Sequence, residues 1–274
     1  MATRTVDGQD IRPETCSNGV LERQEIRTLT EDRRKAFINA FKELHTGASP
    51  TELDRLSDYH NQAAGYAHSN AMFLPWHRYY LVFLERKLQK QDPMITVPYW
   101  DWTLDSQAPE TSVVFKEDFF GGNGKGKDNC VEDGPLAGWQ MAYPKPGCLK
   151  RKFDQGDKIG AFYSPEGIRR LLAENTEFSS FHLALEGIPH GRIHVGIDGH
   201  MNTMHAPNDP LFFLHHAMVD KIWSDWQEKY PDKARSYAGK KENGQAAPSD
   251  IIPPWNDLKV EDMFDTTALC YKYA

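Results

Sequence analysis

The chain has 274 residues, of which 39% are apolar and 12% aromatic, and it carries a formal net charge of −7. This composition supports a packed core and excludes a disordered protein, and the acidic balance with dispersed basic residues argues against a nucleic-acid partner. No stretch approaches the ~20 apolar residues that span a membrane, and the polar start at residues 1–4 does not resemble a signal peptide. We therefore expect neither a nucleic-acid nor a membrane partner.

Helical periodicity predicts a mainly α protein with little β structure. In chain order we expect an irregular, extended arm over 1–27, helices near 31–45, 51–66 and 75–91, a long loop region over 103–163, helices near 165–175 and 177–186, a helix over 208–226, and a loop-like tail. Thr28-Leu29-Thr30-Glu31 has capping-box spacing for the first helix, and Gly47 fits its end. The loop region is rich in Gly and Pro, and a structureless stretch of this length is usually functional or mobile.

The four cysteines form no CxxC pair, and none lies near a cluster of histidines. An even number at wide spacing favours two disulfides over a zinc site. Cys16 and Cys270 lie near the two termini, which often meet in a domain, and Cys130 and Cys148 flank one loop. We favour these two pairings and an oxidising compartment. The alternative is four free cysteines in a cytosolic protein.

Histidines are the main candidates for chemistry. Most of the eleven fall in two stretches: His60, His68 and His77, then His182, His190, His194, His200, His205 and the pair His215-His216. His190 and His194 are four residues apart, so on a helix both rings would face one metal ion. His215 and His216 lie in a helix that Asn208 or Asp209 caps and in which Pro210 fits the first turn. Neighbouring side chains point about 100° apart, so at most one of this pair faces a given metal ion; the other reading is one structural and one surface histidine.

The candidate ligands are all imidazoles, which suit copper, zinc, iron and nickel. Zinc hydrolases usually add a carboxylate base, as in HExxH, and that motif is absent from the sequence. Two groups of three histidines therefore favour a pair of copper ions.

The segment from His68-Ser69-Asn70 to Glu85 resembles the copper A signature of the type-3 copper family, which includes tyrosinases, catechol oxidases and molluscan haemocyanins. The segment from Asn208-Asp209-Pro210 through Asp220 to Trp223 resembles its copper B signature. The eight-residue step from His60 to His68 is most like the short fungal catechol oxidases and tyrosinases. Tyr271-Lys272-Tyr273 resembles the family's tyrosine motif.

This resemblance implies one copper-binding domain over 1–274, with a four-helix bundle around a dinuclear copper centre that uses O₂. The implied ligands are His60, His68 and His77 for copper A, and His190, His194 and His216 for copper B. His215 and Asp220 would lie behind these ligands. Gly191, Val195 and Phe212 would border the substrate pocket, although Phe212 could equally be ordinary core. Glu186, placed before Pro189-His190-Gly191 as in plant-type polyphenol oxidases, would hold an active-site water; the alternative is a surface carboxylate.

The sequence also departs from the family pattern. No cysteine lies near His68, so the thioether found in many members cannot form. Gly191 follows His190 where many tyrosinases have an asparagine. The chain ends just after Tyr273, which resembles a processed or naturally short form without a shielding domain, made for secretion or another oxidising compartment.

The resemblance implies an oxidase that converts o-diphenols to o-quinones while O₂ is reduced to water, with small phenols as substrates and weak monophenol hydroxylation. The alternatives within this class are a true tyrosinase and an oxidase of o-aminophenols or methoxylated phenols. Outside it, a haemocyanin-like O₂ carrier would need an added β-sandwich, and a zinc-loaded or non-catalytic protein would need a different metal content.

Overall fold

The computed structural model describes residues 16–241 and 244–274; of the expected irregular, extended arm over 1–27, residues 1–15 lie outside these ranges. Within them the α-helices are α1 (Glu31–Glu43), α2 (Glu52–Gln62), α3 (Ala64–Ala67), α4 (Phe73–Leu88), α5 (Pro165–Glu174), α6 (Phe178–Leu185), α7 (Gly191–Ile197) and α8 (Leu211–Lys229). The strands are β1 (Leu21–Arg23), β2 (Gln140–Met141), β3 (Gly147–Cys148), β4 (Lys240–Lys241), β5 (Gly244–Gln245), β6 (Ile251–Ile252), β7 (Trp255–Lys259) and β8 (Tyr271–Tyr273). The prediction of a mainly α fold is confirmed.

Helices α4 and α8 pack against each other at the centre of the molecule. Nearly every residue of α4 is buried, as are most residues of α8. A helix that is apolar around most of its circumference must be surrounded by other elements. The aromatic side chains of both helices fill this core: Trp76, Tyr79 and Tyr80 from α4, and Phe212, Phe213, Trp223 and Trp226 from α8.

The capping of the first helix differs from the prediction. Thr30, and not Thr28, caps α1, because its hydroxyl accepts from the Arg33 N–H at 3.3 Å. The Thr28 hydroxyl instead donates to the Glu25 carbonyl. A reciprocal capping box is present at α2, where Thr51 and Asp54 exchange hydrogen bonds. Helix α1 ends at Glu43, two residues before the expected end near residue 45, and Leu44 is its C-cap.

As predicted, the region 103–163 is a long loop region, whose regular structure is limited to short helical turns and the β2–β3 pair. It is nevertheless packed against the rest of the molecule. It contributes buried apolar side chains such as Phe115, Phe120, Leu136 and Phe153 to the core. Its Arg151 is fully buried and forms a bidentate ion pair with Asp209, at 2.6 Å for Nε to Oδ2 and 2.9 Å for Nη2 to Oδ1. Asp209 also accepts from the Leu211 N–H at 3.0 Å and so bonds the first residue of α8, but the N-cap residue is Pro210 and not the predicted Asn208 or Asp209.

The tail is more ordered than predicted. Strands β6 and β7 pair antiparallel, and β8 pairs in parallel with β1, with Leu21 opposite Tyr271. These short pairings were missed because each strand is only two to five residues long. Disulfides join Cys16 to Cys270 and Cys130 to Cys148, which are the pairs favoured from the sequence. Among the helices of the described residues, none combines the length and the apolar character needed to cross a membrane.

Candidate metal centre

Two groups of histidines meet between the central helices. The first contains His60 from α2, His68 from the segment after α3, and His77 from α4. The second contains His190, His194 from α7, and His215 and His216 from α8. Within each group the possible ligand nitrogens all lie within 4.8 Å of one another. Each group could therefore hold one metal ion.

Backbone carbonyls orient four of these rings. The Nδ1 atoms of His60 and His77 donate to the carbonyls of Met204 at 2.7 Å and Phe73 at 2.8 Å. Those of His190 and His194 donate to the carbonyls of Glu186 at 2.9 Å and Met201 at 2.6 Å. We assign the proton to Nδ1 from these bonds, which leaves each Nε2 with a free lone pair. Backbone carbonyls commonly fix metal-binding imidazoles in this way.

The free nitrogens fit a bound cation. His190 Nε2 and His194 Nε2 lie 3.1 Å apart, and both are acceptors in the assigned tautomer. In the described part of the chain, His60 Nε2, His77 Nε2 and both nitrogens of His216 are buried without a hydrogen-bond partner. Converging buried lone pairs repel each other unless a positive charge lies between them. The all-imidazole donor set is one that copper accepts.

Burial keeps these imidazoles neutral. It lowers the pKa values of His68 and His194 to about 4, and the pKa values of His60, His77, His190 and His216 fall well below the ordinary value for the same reason. A metal ion binds the neutral form of imidazole, so no proton has to be displaced from Nε2 at neutral pH.

The two groups are in direct contact. The rings of His77 and His216 stack with centroids 4.3 Å apart and an angle of 11° between their planes. Phe212 packs beneath both groups, and its ring centroid lies 4.2 Å from that of His216 and 4.9 Å from that of His60. Ions held by the two groups would thus be close neighbours, as a dinuclear centre requires.

His190 is the last residue of a π-helical turn over Glu186–His190, and this turn positions it at the site. Pro189 lies inside this turn and has no N–H to continue an α-helical hydrogen-bond pattern. The backbone of Gly187 departs from helical geometry, with ψ of −106°. Turns of this type are frequent at functional sites. The sequence prediction of a regular helix ending near Glu186 is correct up to this turn.

Glu186 forms hydrogen bonds with His190 of the second group and with the residue that follows His68 of the first. Its carboxylate accepts from the N–H of Ser69, the residue after His68, and its own carbonyl accepts from His190. Burial raises the pKa of Glu186 to about 7. Its side chain is half-buried, with Oε2 buried, so Glu186 differs from an exposed surface carboxylate.

A cavity of about 210 Å³ opens onto the histidines. Its lining residues are His60, His68, His190, Gly191, His194, Val195, Met201, Asn202, Thr203 and Met204. Gly191 and Val195 thus lie where the pocket was expected. Within the described residues no Lys, Arg, Asp or Glu lines this cavity. Its volume is below the ~300–1,000 Å³ typical of drug-sized ligands, so it suits a small, uncharged ring.

The structure also shows where Phe212, His215 and Asp220 lie relative to the two groups. Phe212 is fully buried and supports the histidines from below, so it does not form a wall of the cavity. His215 joins the second group directly, because a nitrogen of its ring lies within 4.8 Å of a nitrogen of each other member. Asp220 lies farther along α8 and, among the described residues, bonds no histidine; its partners are Arg23, Arg78, Tyr271 and Tyr273.

The sequence analysis missed two contacts of the site, the carbonyls of Met201 and Met204. Backbone acceptors carry no side-chain signature. The nearest hint is the turn at Asp198-Gly199, where both residues have positive φ.

The comparison with protein families decides what kind of centre this is. The family model described as the common central domain of tyrosinase matches residues 40–229, which include all seven histidines of the two groups. The chain belongs to the tyrosinase family. This membership confirms the resemblance to type-3 copper proteins, and it makes the chain a type-3 copper oxidase of that family.

Individual relatives agree with the family match. The tyrosinase-family chain is 34% identical to tyrosinase ustQ of Aspergillus flavus, over 94% of this chain and 80% of that relative. Its structure resembles a mutant polyphenol oxidase from Thermothelomyces thermophila with a TM-score of 0.77 and 26% identity, over 94% of this chain and 90% of that one. A functional unit of octopus haemocyanin matches with a TM-score of 0.67 and 22% identity, over 92% and 68% of the two chains, which shows a shared fold.

Proposed function

We propose that this protein oxidises small catechols to o-quinones at a dinuclear copper centre. His60, His68 and His77 would hold one copper ion, and His190, His194 and His216 the other. The observation that supports this proposal is the pair of facing histidine groups, whose free Nε2 atoms border a small, uncharged cavity. The whole chain, residues 1–274, would act as one copper-binding domain.

His216, and not His215, is our choice for the third ligand of the second group. The His216 ring stacks on His77 of the first group and also lies 5.0 Å from the His190 ring, whereas the histidine rings around His215 are those of its own group. A ligand that lies between the two groups brings its metal ion close to the other one. His215 would then support the rings of His190 and His194 from behind.

Bound copper supplies the electron chemistry that reduces O₂ to water, and overall two catechols and one O₂ give two o-quinones and two waters. The chain binds and orients the substrate. Gly191 leaves the approach to His190 open, and Val195, with 45% of its surface exposed, offers an apolar contact at the mouth. A flat ring entering there would direct its hydroxyl groups toward the free imidazole nitrogens.

Glu186 would handle the proton that the substrate hydroxyl loses. Its Oε1 is occupied by the Ser69 N–H, and its Oε2 is buried without a protein partner among the described residues. Oε2 would therefore hold a water between the carboxylate and the substrate. With a pKa raised to about 7, this carboxylate is a stronger base than an exposed glutamate.

The preference for catechols follows from Gly191. A monophenol has a pKa near ~10 and needs a strong base before it binds copper. A water held between a carboxylate and a side-chain amide would be such a base, but Gly191 supplies no amide. Catechols are more acidic and depend less on it. We therefore propose fast catechol oxidation and slow or lagged monophenol hydroxylation.

The two disulfides favour an oxidising compartment, and we propose that the protein is secreted or resides in another such compartment.

Oxygen uptake by copper-loaded protein with tyramine and with dopamine tests the function. We expect rapid uptake with dopamine and quinone formation in parallel, and slow uptake with tyramine. Brisk uptake with tyramine would identify a true tyrosinase. Reversible O₂ binding without quinone would identify a carrier, and active protein that contains zinc would contradict the copper assignment.

A further inference from the structure

The segment 198–205, between α7 and α8, contacts both histidine groups through its backbone. The Met201 carbonyl accepts from His194 Nδ1 at 2.6 Å, and the Met204 carbonyl accepts from His60 Nδ1 at 2.7 Å. Only Asn202 and Thr203 lie between these two residues. The path of this short segment therefore sets the ring orientation of one histidine in each group.

His200 attaches this segment to the region 103–163. Its backbone N–H donates to the Lys150 carbonyl at 3.0 Å, and its Nδ1 accepts from the Lys150 N–H at 3.0 Å. The two bonds join the same pair of residues, and the His200 side chain is buried. Removing the imidazole acceptor would leave the Lys150 N–H without this partner, at a cost in stability of the local structure.

The carbonyl of His200 also holds the turn that follows it. It accepts from the Thr203 N–H at 3.0 Å and from the Thr203 hydroxyl at 2.9 Å. On the other side of His200, Gly199 has a φ of +62°, and a Cβ atom there would lie 2.3 Å from the Lys150 carbonyl oxygen. The backbones of the two segments are thus in close contact at this point.

The residues around Lys150 are themselves held by contacts with other parts of the chain. Cys148, two residues earlier, is in the disulfide with Cys130, and Arg151 is in the buried ion pair with Asp209. The Lys152 N–H donates to the Ile197 carbonyl at 3.1 Å, at the end of α7. The two hydrogen bonds between His200 and Lys150 therefore restrain the segment 198–205, in addition to the bonds within the segment itself.

We propose that His200 is a positioning residue for both halves of the dinuclear site. It acts through the carbonyls of Met201 and Met204, which orient His194 and His60. The inference rests on the proposed function for the metal that these histidines bind, but the orientation of the segment is a property of the metal-free chain. Loss of the Nδ1 acceptor should weaken both metal sites together, because one segment serves both groups.

The test compares His200→Leu, which removes the acceptor but keeps an apolar side chain, with His200→Asn. The Asn Oδ1 is two bonds from Cβ, as Nδ1 is in histidine, so this variant keeps an acceptor for the Lys150 N–H. His45→Asn is the matched control, because His45 belongs to neither group and stacks on Trp139. Gly199→Ala disturbs the same contact from the backbone side.

Two quantities are measured: copper retained per chain against a competing chelator, and hydrogen exchange of the 201–204 amides in metal-free protein. His200→Leu should lower the affinity for both copper ions by about tenfold or more and speed the exchange of these amides. Gly199→Ala should do the same, whereas His200→Asn and His45→Asn should stay near the parent.

Several results would overturn the proposal. For copper, they are the loss of only one ion in His200→Leu, or equal copper retention in His200→Leu and His200→Asn. For hydrogen exchange, they are unchanged rates in His200→Leu, or a metal-free parent whose 201–204 amides already exchange as fast as those of an unfolded chain. A parent that binds no copper would instead contradict the proposed function, while the exchange measurement would still decide the role of His200.

Discussion

The carboxylate of Glu186 accepts a hydrogen bond from the backbone N–H of Ser69 at 2.5 Å. This bond ties the residue after His68 to the turn that carries His190. Because the Glu186 carbonyl also accepts from His190 Nδ1 at 2.9 Å, one residue connects the two histidine groups. Its second carboxylate oxygen is buried without a protein partner among the described residues, and burial raises the pKa of Glu186 to about 7.

Glu186→Gln should lower the turnover of phenols with little loss of copper, by roughly 10²-fold on a monophenol if the carboxylate is the general base. Burial raises the pKa, so Glu186 is protonated below about 7 and accepts a proton only above it. Parent activity on monophenols should therefore rise with pH through this region, and two nearby cations would move the midpoint downward. The variant should lose this rise, which pH–rate profiles measure. Glu174→Gln, on an exposed carboxylate of α5, is the control; a Glu186→Gln profile identical to the parent would remove Glu186 from the mechanism.

Gly191→Asn should raise monophenol activity relative to diphenol activity, because the new amide could help Glu186 polarise a water. The position tolerates the change: Gly191 has ordinary helical angles, with φ −61° and ψ −29°, and an added Cβ meets no atom within 4 Å. The ratio of initial rates on tyramine and dopamine is the measurement. Gly65→Asn, also in open space, is the control. An unchanged ratio in Gly191→Asn would show that this residue does not set the specificity.

Asp209→Asn should destabilise the fold by about 3–5 kcal/mol, because it leaves the fully buried Arg151 without its counter-charge. The exposed pair of Arg169 and Glu166 is a matched contrast, and Arg169→Ala should cost at most ~1 kcal/mol. Denaturant unfolding of both variants gives the two values. Equal, small losses would mean that the region 103–163 does not anchor the start of α8.

Replacing Cys130 and Cys148 together by serine should lower the free energy of unfolding by roughly 3 kcal/mol on the chain-entropy model, since the disulfide closes a short loop with a sequence separation of 18. Denaturant unfolding of the double variant measures this loss. Peptide mapping without reductant checks the pairing in the parent. Free thiols, or a peptide that joins Cys130 to Cys16, would contradict the structure.

The sequence predicted the helices and the histidines well, because both leave strong local signals. The apolar periodicity of α4 and α8 is unbroken, and the motifs around His77 and His216 are long. The positions of Phe212 and Asp220 were harder to predict. Both lie on α8 within a few residues of His216, but what each side chain contacts depends on how α8 packs against other elements. This packing places Phe212 beneath the histidine rings and Asp220 against Arg23 and Arg78.

The contacts that orient the site were the least predictable. The Met201 and Met204 carbonyls, the Ser69 N–H and the His200–Lys150 pair are backbone groups or depend on them, and they join residues far apart in the chain. Composition made the region 103–163 look structureless, since Gly and Pro mark turns. Its buried aromatic residues and the ion pair of Arg151 show instead that it is a packed scaffold behind the histidines.

The most direct test of the account is the copper content of single-histidine variants, determined by elemental analysis beside catechol oxidation. The parent should hold two copper ions per chain. His77→Ala and His216→Ala should each lose about one copper and nearly all oxidase activity, because each removes one of three ligands from a different ion. His45→Ala should lose neither. A parent with one metal ion, or with zinc in active protein, would contradict the dinuclear copper centre. A His216→Ala variant that keeps both copper ions would instead contradict the choice of His216 over His215 as a ligand.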